Sequence, residues 1–434
     1  MELSKSAFVL LVVFGLSVGI YGEKARFDNY RVYRIHIENE HQIKVLQAIG
    51  NLRGGYSFWD DPIKVDSDVD LVVPPHKFGE FGEIVENHGI AANLSVPDLQ
   101  RLLDAERPVT RKAGVHWTAY NTLEEIYDWM DQLLKVHSDF LTPIVAGHSY
   151  ENCPIRGLKV SYKAGNPGVF MEGTTHAREW ISAASITWML NQLLTSQDEN
   201  IRRVAENYDW YFFPVTNPDG YVYTHTTNRL WRKTRKPYTE VCYGADPNRN
   251  WGAYFKQGGS SSDPCTDTFA GPYAFSEVET KSVSDYFTSI QASISTYLAF
   301  HSSGQLLMIP YGYTTEKLDN YEEMMEVGRK AIEKLKERYG TEYRIGNVAE
   351  AIYVASGGSI DWVKSTYDIP IVFVYELRDT GAHGFLLPPE QIIPTAEETL
   401  DSVIVILDEG EKRGLHNRQS VRDGRKPIDS GVAD

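Results

Sequence analysis

The feature that most constrains the fold is a series of short apolar runs between about residues 113 and 410. Each run is nearly continuous and rich in β-branched and aromatic residues, as expected of a buried strand: IRGLKV, GVFMEG, DWYFFPV, STYLAF and IPIVFVY. Stretches with helical spacing lie between them, such as WISAASITWMLNQLL. Apolar strands that alternate with helices predict an α/β domain with a mixed, mostly parallel sheet covered by helices.

A smaller module precedes this domain. Residues 30–105 follow the order strand, helix, strand, strand, helix, strand in the segments YRVYRIHI, QIKVLQAIGNL, YSFWD, DVDLVV, KFGEFGEIVENHG and IAANLSV. That order predicts a ferredoxin-like α+β fold. The segments contain no cluster of catalytic groups, so we expect the chemistry to lie in the larger domain.

The N-terminus predicts export. Lys5 precedes an apolar run from Ala7 to Ile20, which is typical of a secretory signal peptide over residues 1–22. The alternative is a membrane anchor, but the run is shorter than the roughly 20 residues that span a bilayer. We therefore expect a secreted, extracellular protein without a membrane partner.

The charge balance argues against nucleic acid as a partner. The 434-residue chain carries 59 acidic and 43 basic side chains, a formal net charge of −16. Nucleic-acid binding needs a basic face that displaces counterions.

The three cysteines have different expected states. Cys242 and Cys265 bracket a loop rich in glycine and serine, and a disulfide closing this loop is compatible with secretion. Cys153 is then left over, and we expect an unpaired, partly buried thiol rather than a nucleophile.

A polar segment, RLLDAERPVTRKAG, joins the two modules. It is either a solvated linker or a cleavage site for a trypsin-like protease. Because Arg107 precedes a proline, Arg111 and Lys112 are the better scissile positions.

Four ionisable residues follow or end predicted strands. His176 and Glu179 follow GVFMEG, His301 follows STYLAF, and Glu376 follows IPIVFVY. Ligands bind beyond the carboxyl ends of strands in such sheets, so these side chains are expected at one rim. Each has a simpler explanation alone: a helix start for the first two, a core histidine for His301, and an ion pair with Arg378 for Glu376.

Together the four residues predict a hydrolytic zinc site. Two imidazoles and one carboxylate form a three-ligand set that leaves one position for water. Zinc lowers the pKa of that water to about 7, so an unbound glutamate can take its proton. Glu376 suits that role. The basic cluster NRLWRKTR and the segment DPNRNW can supply oxyanion donors and carboxylate clamps nearby.

Several segments in order resemble the zinc metallocarboxypeptidases of the pancreatic A/B-type family: HAREW, NRLWRKTR, DPNRNW, IYVASGGSIDW and YELRDTG. The N-terminal module is similar to the inhibitory pro-domain of that family. The resemblance implies a carboxypeptidase-like catalytic domain over 112–411 and a pro-domain over 23–111. The composition of residues 412–434 predicts a polar tail, which is not part of the resemblance. The Cys242–Cys265 pair also matches the family pattern.

The resemblance implies roles for individual residues. His176, Glu179 and His301 would bind one zinc ion per chain, with Glu376 as general base. Arg232 would stabilise the oxyanion. The substrate's terminal carboxylate would be held by Asn248, Arg249 and Tyr353, with Arg178 and Arg229 lining the approach.

Specificity is expected to depend on Ile360, because basic-specific relatives carry an aspartate at this place. An apolar floor cannot neutralise a lysine or arginine head group, so aromatic or aliphatic C-terminal residues are expected. Asp361 should point elsewhere. Departures from the family at Ser303 and Pro247 leave the predicted zinc set, base and clamp intact.

The expected protein is thus a secreted zymogen of an A-type carboxypeptidase. Its partners would be peptide and protein substrates with a free C-terminus and a trypsin-like activating protease, with the enzyme itself a monomer. The alternatives are a zinc-dependent deacylase of N-acyl amino acids and a catalytically inactive binding homologue.

Overall fold

The computed structural model describes residues 24–50, 55–59, 62–106 and 114–416. The predicted signal peptide, the cleavage positions Arg111 and Lys112, and residues 417–434 of the predicted tail lie outside the described residues.

The N-terminal module has the predicted element order. Its elements are β1 (Arg31–Ile37), α1 (Glu40–Gly50), β2 (Ser57–Phe58), β3 (Ser67–Val73), α2 (Phe78–Asn87), β4 (Ala92–Val96) and α3 (Leu99–Ala105). The strands form an antiparallel sheet in the order β2-β3-β1-β4. Alternate residues of β1 and β3 pack under α1 and α2, because successive strand side chains point to opposite faces.

The larger module contains the remaining helices and strands of the described chain. They are α4 (Leu123–Val136), β5 (Leu141–His148), β6 (Pro154–Val160), β7 (Gly168–Gly173), α5 (Trp180–Thr195), α6 (Glu199–Asn207), β8 (Asp209–Phe213), α7 (Pro218–Thr226), α8 (Val278–Ile290), β9 (Ile294–Ser302), β10 (Leu306–Ile309), α9 (Tyr321–Tyr339), β11 (Arg344–Asn347), α10 (Val348–Ala351), α11 (Ser359–Tyr367), β12 (Ile371–Leu377) and α12 (Ile392–Lys412).

The strands form one eight-stranded mixed sheet in the order β11-β10-β12-β9-β7-β8-β6-β5. The central strands β12, β9, β7 and β8 run parallel, and antiparallel pairings occur toward both edges. Neighbouring residues of β7 enter different cores: Met171 packs with the cluster around α5 and α12, and Phe170 with the cluster around α8 and α11. Helices therefore cover both faces, which confirms the predicted α/β class.

Two short sequence features, the start of α4 and the cysteines, have clear structural consequences. Helix α4 begins with a capping box in which Thr122 and Glu125 exchange hydrogen bonds. The disulfide joins Cys242 and Cys265, whose Cα atoms are 5.0 Å apart, and Cys153 is a half-buried free thiol.

The described part of the predicted tail packs against the domain. Leu415 is buried, and the ring of His416 hydrogen-bonds the Tyr208 hydroxyl at 3.0 Å. Among the described residues, no helix combines the length and apolar composition needed to cross a bilayer.

Candidate metal centre and substrate cleft

Three central strands deliver the four predicted chemical groups to one edge of the sheet. His176 and Glu179 lie between β7 and α5, and His301 lies near the end of β9. Glu376 of β12 is the direct neighbour of His301 in the parallel register of these strands. The convergence predicted from strand ends is therefore present.

The two histidines and Glu179 form a compact, buried set whose ligand atoms all lie within 4.8 Å of one another. The Glu179 oxygens lie 2.7 Å from Nδ1 of His176 and 3.0 Å from Nδ1 of His301. The two Nδ1 atoms are 3.1 Å apart. Two ligands of a tetrahedral zinc ion, each at about 2.0–2.1 Å, would lie about 3.4 Å apart, so this donor set fits zinc with little movement.

A buried aspartate supports this set from behind. Asp246 Oδ1 lies 3.1 Å from Nε2 of His176, and its Oδ2 accepts from Nη2 of Arg232 at 2.9 Å. A carboxylate on the far nitrogen fixes the tautomer and orientation of a metal-binding histidine. Asp246 was not among the residues predicted from the sequence. The sequence feature that could have identified Asp246 is its position two residues before Asn248 in DPNRNW.

Burial and neighbouring charges adjust protonation in the set. Burial lowers the pKa of His176, which favours the neutral imidazole that a metal requires. Burial also opposes ionisation of Glu179, but His176 and His301 outweigh it and lower the pKa of this carboxyl. Burial likewise opposes the charge of Arg232, whose pKa is nevertheless raised by Asp246 and Glu179.

A cavity of about 830 Å³ opens in front of the set. Ten of the predicted site residues line it: His176, Arg178, Glu179, Arg232, Asn248, Arg249, His301, Tyr353, Ile360 and Glu376. One predicted binding residue, Arg229, is not among the lining residues. The structure thus brings the predicted metal ligands, base and substrate-binding groups to a single cleft.

The predicted carboxylate clamp is assembled inside this cleft. Arg249 donates through Nη1 to the carbonyl of Asn248 at 2.9 Å and through Nε to the carbonyl of Gly259 at 2.9 Å. Its Nη2 donates to the hydroxyl of Tyr353 at 3.2 Å. The guanidinium is therefore held in one orientation, with the tyrosine already beside it.

Ile360 and Asp361 both line the cavity, but their side chains make different contacts. Ile360 belongs to an apolar cluster and lines the cavity. The Asp361 carboxylate accepts from the backbone N–H of Gly312 at 2.8 Å and of Tyr313 at 3.0 Å. Burial raises the pKa of Asp361 to about 7.

The N-terminal module covers the entrance and engages both approach arginines. The Trp59 carbonyl accepts from Nη2 of Arg178 at 3.1 Å. Glu106, just after α3, forms a two-bond ion pair with Arg229 at 2.8 and 2.7 Å, and both side chains are buried. These two arginines therefore contact the N-terminal module in the uncleaved chain.

A buried two-histidine, one-glutamate set at the carboxyl edge of an α/β sheet, capped by a separate module, defines a metal-dependent hydrolase made as a precursor. Family models agree: residues 126–402 match "Zinc carboxypeptidase" and residues 33–106 match "Carboxypeptidase activation peptide". The chain belongs to the zinc carboxypeptidase family and carries its activation peptide, which confirms the predicted family, metal and type of enzyme.

Individual relatives cover nearly the whole chain. "Zinc carboxypeptidase A 1" of Anopheles gambiae is 46% identical over 403 residues, which is 92% of this chain and 93% of the relative. "Zinc carboxypeptidase" of Simulium vittatum is 55% identical over 300 residues, 69% of this chain and 99% of the relative. The solved carboxypeptidase A of Helicoverpa armigera superimposes with a TM-score of 0.80 at 26% identity, over 89% of this chain and 98% of that structure.

Proposed function

We propose that this chain is a secreted zymogen whose active form removes aromatic or aliphatic residues from the C-terminus of peptides. The observation that carries the proposal is the joint presence, in one cleft, of the buried ligand set, Glu376 and the Arg249 clamp. A metal hydrolase that does not act on chain termini would not need a fixed guanidinium in its cleft to bind a terminal carboxylate.

In this proposal His176, Glu179 and His301 hold the zinc ion. When bound, the ion supplies Lewis-acid polarisation and makes water acidic enough to lose a proton near neutral pH. Glu376, in register beside His301, would act as general base, accepting a proton from the attacking water on its carboxylate and passing it to the leaving amine.

Two further roles, stabilising the oxyanion and binding the terminal carboxylate, fall to different residues. Arg232, held by Asp246, faces the cavity and stabilises the negative charge that develops on the peptide oxygen. Arg249 and Asn248 bind the free carboxylate of the substrate, with Tyr353 closing beside them. Binding the terminal carboxylate at a fixed distance from the base restricts cleavage to the last peptide bond.

The preference for apolar residues rests on the pocket floor. Ile360 presents an aliphatic side chain to the cavity, and the neighbouring Asp361 carboxylate is engaged by backbone donors of another loop. A lysine or arginine head group at this floor would meet no carboxylate directed at it. Burying its charge unpaired costs free energy. Aromatic and aliphatic side chains gain free energy from the same environment.

Latency is attributed to the N-terminal module, which lies over the cleft entrance. Trp59 and Arg34 of this module line the cavity, so a peptide substrate and the module compete for the same space. Cleavage by a trypsin-like protease at Arg111 or Lys112 would sever the connection and allow the module to leave. The signal peptide over residues 1–22 would direct the precursor out of the cell.

A three-substrate comparison tests the activity against a deacylase. Trypsin-treated protein is assayed with benzoyl-glycyl-phenylalanine, with its C-terminal amide, and with N-acetyl-phenylalanine. We expect release of phenylalanine from the first substrate and none from its amide, because the clamp needs a free carboxylate beside the cut. N-acetyl-phenylalanine has that carboxylate but lacks the preceding residue, so it loses binding energy and should be cleaved far more slowly. Cleavage of N-acetyl-phenylalanine alone would favour a deacylase, and no cleavage of any substrate would favour an inactive binding homologue.

A further inference from the structure

A turn of small residues packs tightly against the carboxylate clamp. Gly357 has φ +76°, and a Cβ built on it would lie 2.3 Å from the carbonyl oxygen of Arg249. A Cβ on Gly358 would lie 3.2 Å from Oδ1 of Asn248. Position 357 therefore needs glycine both for its backbone conformation and for the close approach. The next residue, Ser359, begins α11 and lines the cavity.

The backbone of Ser359 sets the orientation of the Asn248 amide. Its N–H is one of the donors that a helix start leaves without an intrahelical partner, and it donates to Oδ1 of Asn248 at 3.1 Å. An N–H can only donate, so the amide atom opposite it must be the oxygen. This leaves the NH₂ group of Asn248 as the side chain's donor in the cleft, which is what a substrate carboxylate requires.

The hydroxyl of Ser359 is anchored by a buried glutamate that the proposed reaction does not use. Ser359 donates to Oε1 of Glu172 at 2.7 Å, and the two residues are 2% and 1% exposed. Glu172 lies on β7, one of the central strands of the sheet. A carboxyl group at this depth is costly unless it is hydrogen-bonded, and the Ser359 hydroxyl supplies that hydrogen bond.

We propose that Ser359 is a positioning residue for substrate recognition, held by Glu172 and acting through Asn248. Because Ser359 also precedes Ile360, the same network fixes the start of the segment that forms the pocket floor. Recognition of the terminal carboxylate and of the terminal side chain is thereby set by one buried anchor. The inference rests on the proposed function, since Asn248 and Ile360 are its binding residues.

Ser359→Ala tests the anchor. The backbone N–H remains, but the turn loses its attachment to Glu172, so the Asn248 amide and the floor are less firmly placed. We expect KM for benzoyl-glycyl-phenylalanine to rise about tenfold, as for the loss of one buried hydrogen bond, with kcat within about twofold of wild type. The metal ligands and Glu376 are untouched, which is why turnover of bound substrate is spared.

A double-variant cycle separates positioning from general damage. If Ser359 acts through Asn248, then Ser359→Ala raises KM much less in an Asn248→Ala background than in wild type. Ser284→Ala is the matched control, because Ser284 is equally buried and its hydroxyl donates at 2.9 Å to the Lys281 carbonyl of its own helix. The control should leave KM unchanged.

Variants of Glu172 provide an independent test of the anchor if Ser359→Ala does not fold. Glu172→Gln keeps an acceptor oxygen and should stay within about threefold of the wild-type KM, whereas Glu172→Met removes it and should reproduce the tenfold rise. Equal KM values for Ser359→Ala and Ser284→Ala, full additivity in the cycle, or a loss confined to kcat would overturn the inference. Inactive wild-type protein would instead contradict the proposed function.

Discussion

At the residue scale, carboxyl groups in the cleft differ by what surrounds them. Glu179 lies between two imidazoles and Asp246 between an imidazole and a guanidinium, and these partners lower the pKa of both carboxyls despite burial. Glu172 is buried against hydroxyl groups, and burial raises its pKa. The same functional group, a carboxyl, is thus placed as a predicted metal ligand, a support for a ligand and a buried anchor.

Glu376→Gln tests the assignment of the general base. The amide cannot accept a proton but has nearly the same shape, so the ligand set should be unaffected. We expect kcat to fall about 10³-fold, within the range for loss of a positioned base, while zinc content measured by elemental analysis stays at one ion per chain. His301→Ala is the reference for zinc loss. Turnover retained in Glu376→Gln would remove this residue from the mechanism.

Ile360→Asp tests the origin of the substrate preference. A carboxylate on the pocket floor would pair with a basic head group and would be left unpaired by an aromatic one. We expect kcat/KM for a C-terminal arginine substrate to rise at least tenfold and that for phenylalanine to fall by a similar factor. Ile360→Val, which keeps the floor apolar, should preserve the wild-type order. An unchanged profile in Ile360→Asp would mean that other residues determine the preference.

Sequence patterns predicted the residues at strand ends better than those that support them. His176, His301 and Glu376 were found because the ends of parallel strands meet at one edge. Asp246 acts through a contact with a residue 70 positions away. Glu172 lies within the predicted strand GVFMEG, and its partner Ser359 is 187 positions away. No local pattern predicts contacts of this kind.

At the scale of elements, helix α8 is joined to the β5–β6 turn by a buried acid. Glu279, in the first turn of α8, accepts from the backbone N–H of Tyr150 at 3.0 Å. Its Oε2 is buried without a hydrogen-bond partner among the described residues. Burial raises the pKa of Glu279 from 4.5 to about 7. Burial therefore favours the protonated acid and outweighs the Tyr150 N–H, which favours the carboxylate.

The burial of Glu279 predicts that the stability of the protein depends on pH. The folded protein holds the proton more tightly than the unfolded chain, so the free energy of unfolding falls as pH rises from 4.5 towards about 7 and then levels off. The glutamine in Glu279→Gln cannot ionise, so the free energy of unfolding of this variant should not fall over this pH range. We expect the variant to gain about 2 kcal/mol on wild type between pH 5 and pH 8 in urea unfolding. Parallel pH profiles for the two proteins would contradict this explanation.

The strands that the sequence did not reveal lie toward the edges of the sheet. β5 contains a proline and a glycine, and β10 and β11 have four residues each. Such segments lack the long apolar run that identified the central strands, because edge strands are shorter and pack on fewer neighbours. The central strands, buried on both faces, were predictable from composition alone.

At the scale of the whole molecule, the two modules meet through a shared hydrophobic cluster, which includes Leu103, Leu230 and Phe385, and through a few buried polar contacts. The Glu106–Arg229 pair lies where α3 reaches the catalytic domain, and the Arg229 guanidinium stacks 3.6 Å above the ring centroid of Trp180. Lys24 and Ala25 also contact the carbonyls of His225 and Thr227. Both ends of the N-terminal module are therefore attached to one region beside α7.

Glu106→Ala tests whether this pair maintains latency. Removing one partner leaves Arg229 buried without its carboxylate, which costs about 3–5 kcal/mol in the docked arrangement. We expect the uncleaved variant to hydrolyse peptides at least tenfold faster than the uncleaved wild type, with equal activity after trypsin treatment. Glu80→Ala is the control, because Glu80 pairs with Lys77 within the N-terminal module. Equal latency in all three proteins would show that other contacts hold the module in place.

The central claim is that one zinc-dependent cleft removes apolar C-terminal residues once the N-terminal module has been cleaved off. The most direct measurement assays trypsin-treated protein on blocked dipeptides ending in phenylalanine, arginine and glutamate, each with and without a zinc chelator. We predict release of phenylalanine alone, abolished by the chelator and restored by zinc. Preferential release of arginine or glutamate, or release that survives removal of the metal, would contradict the account.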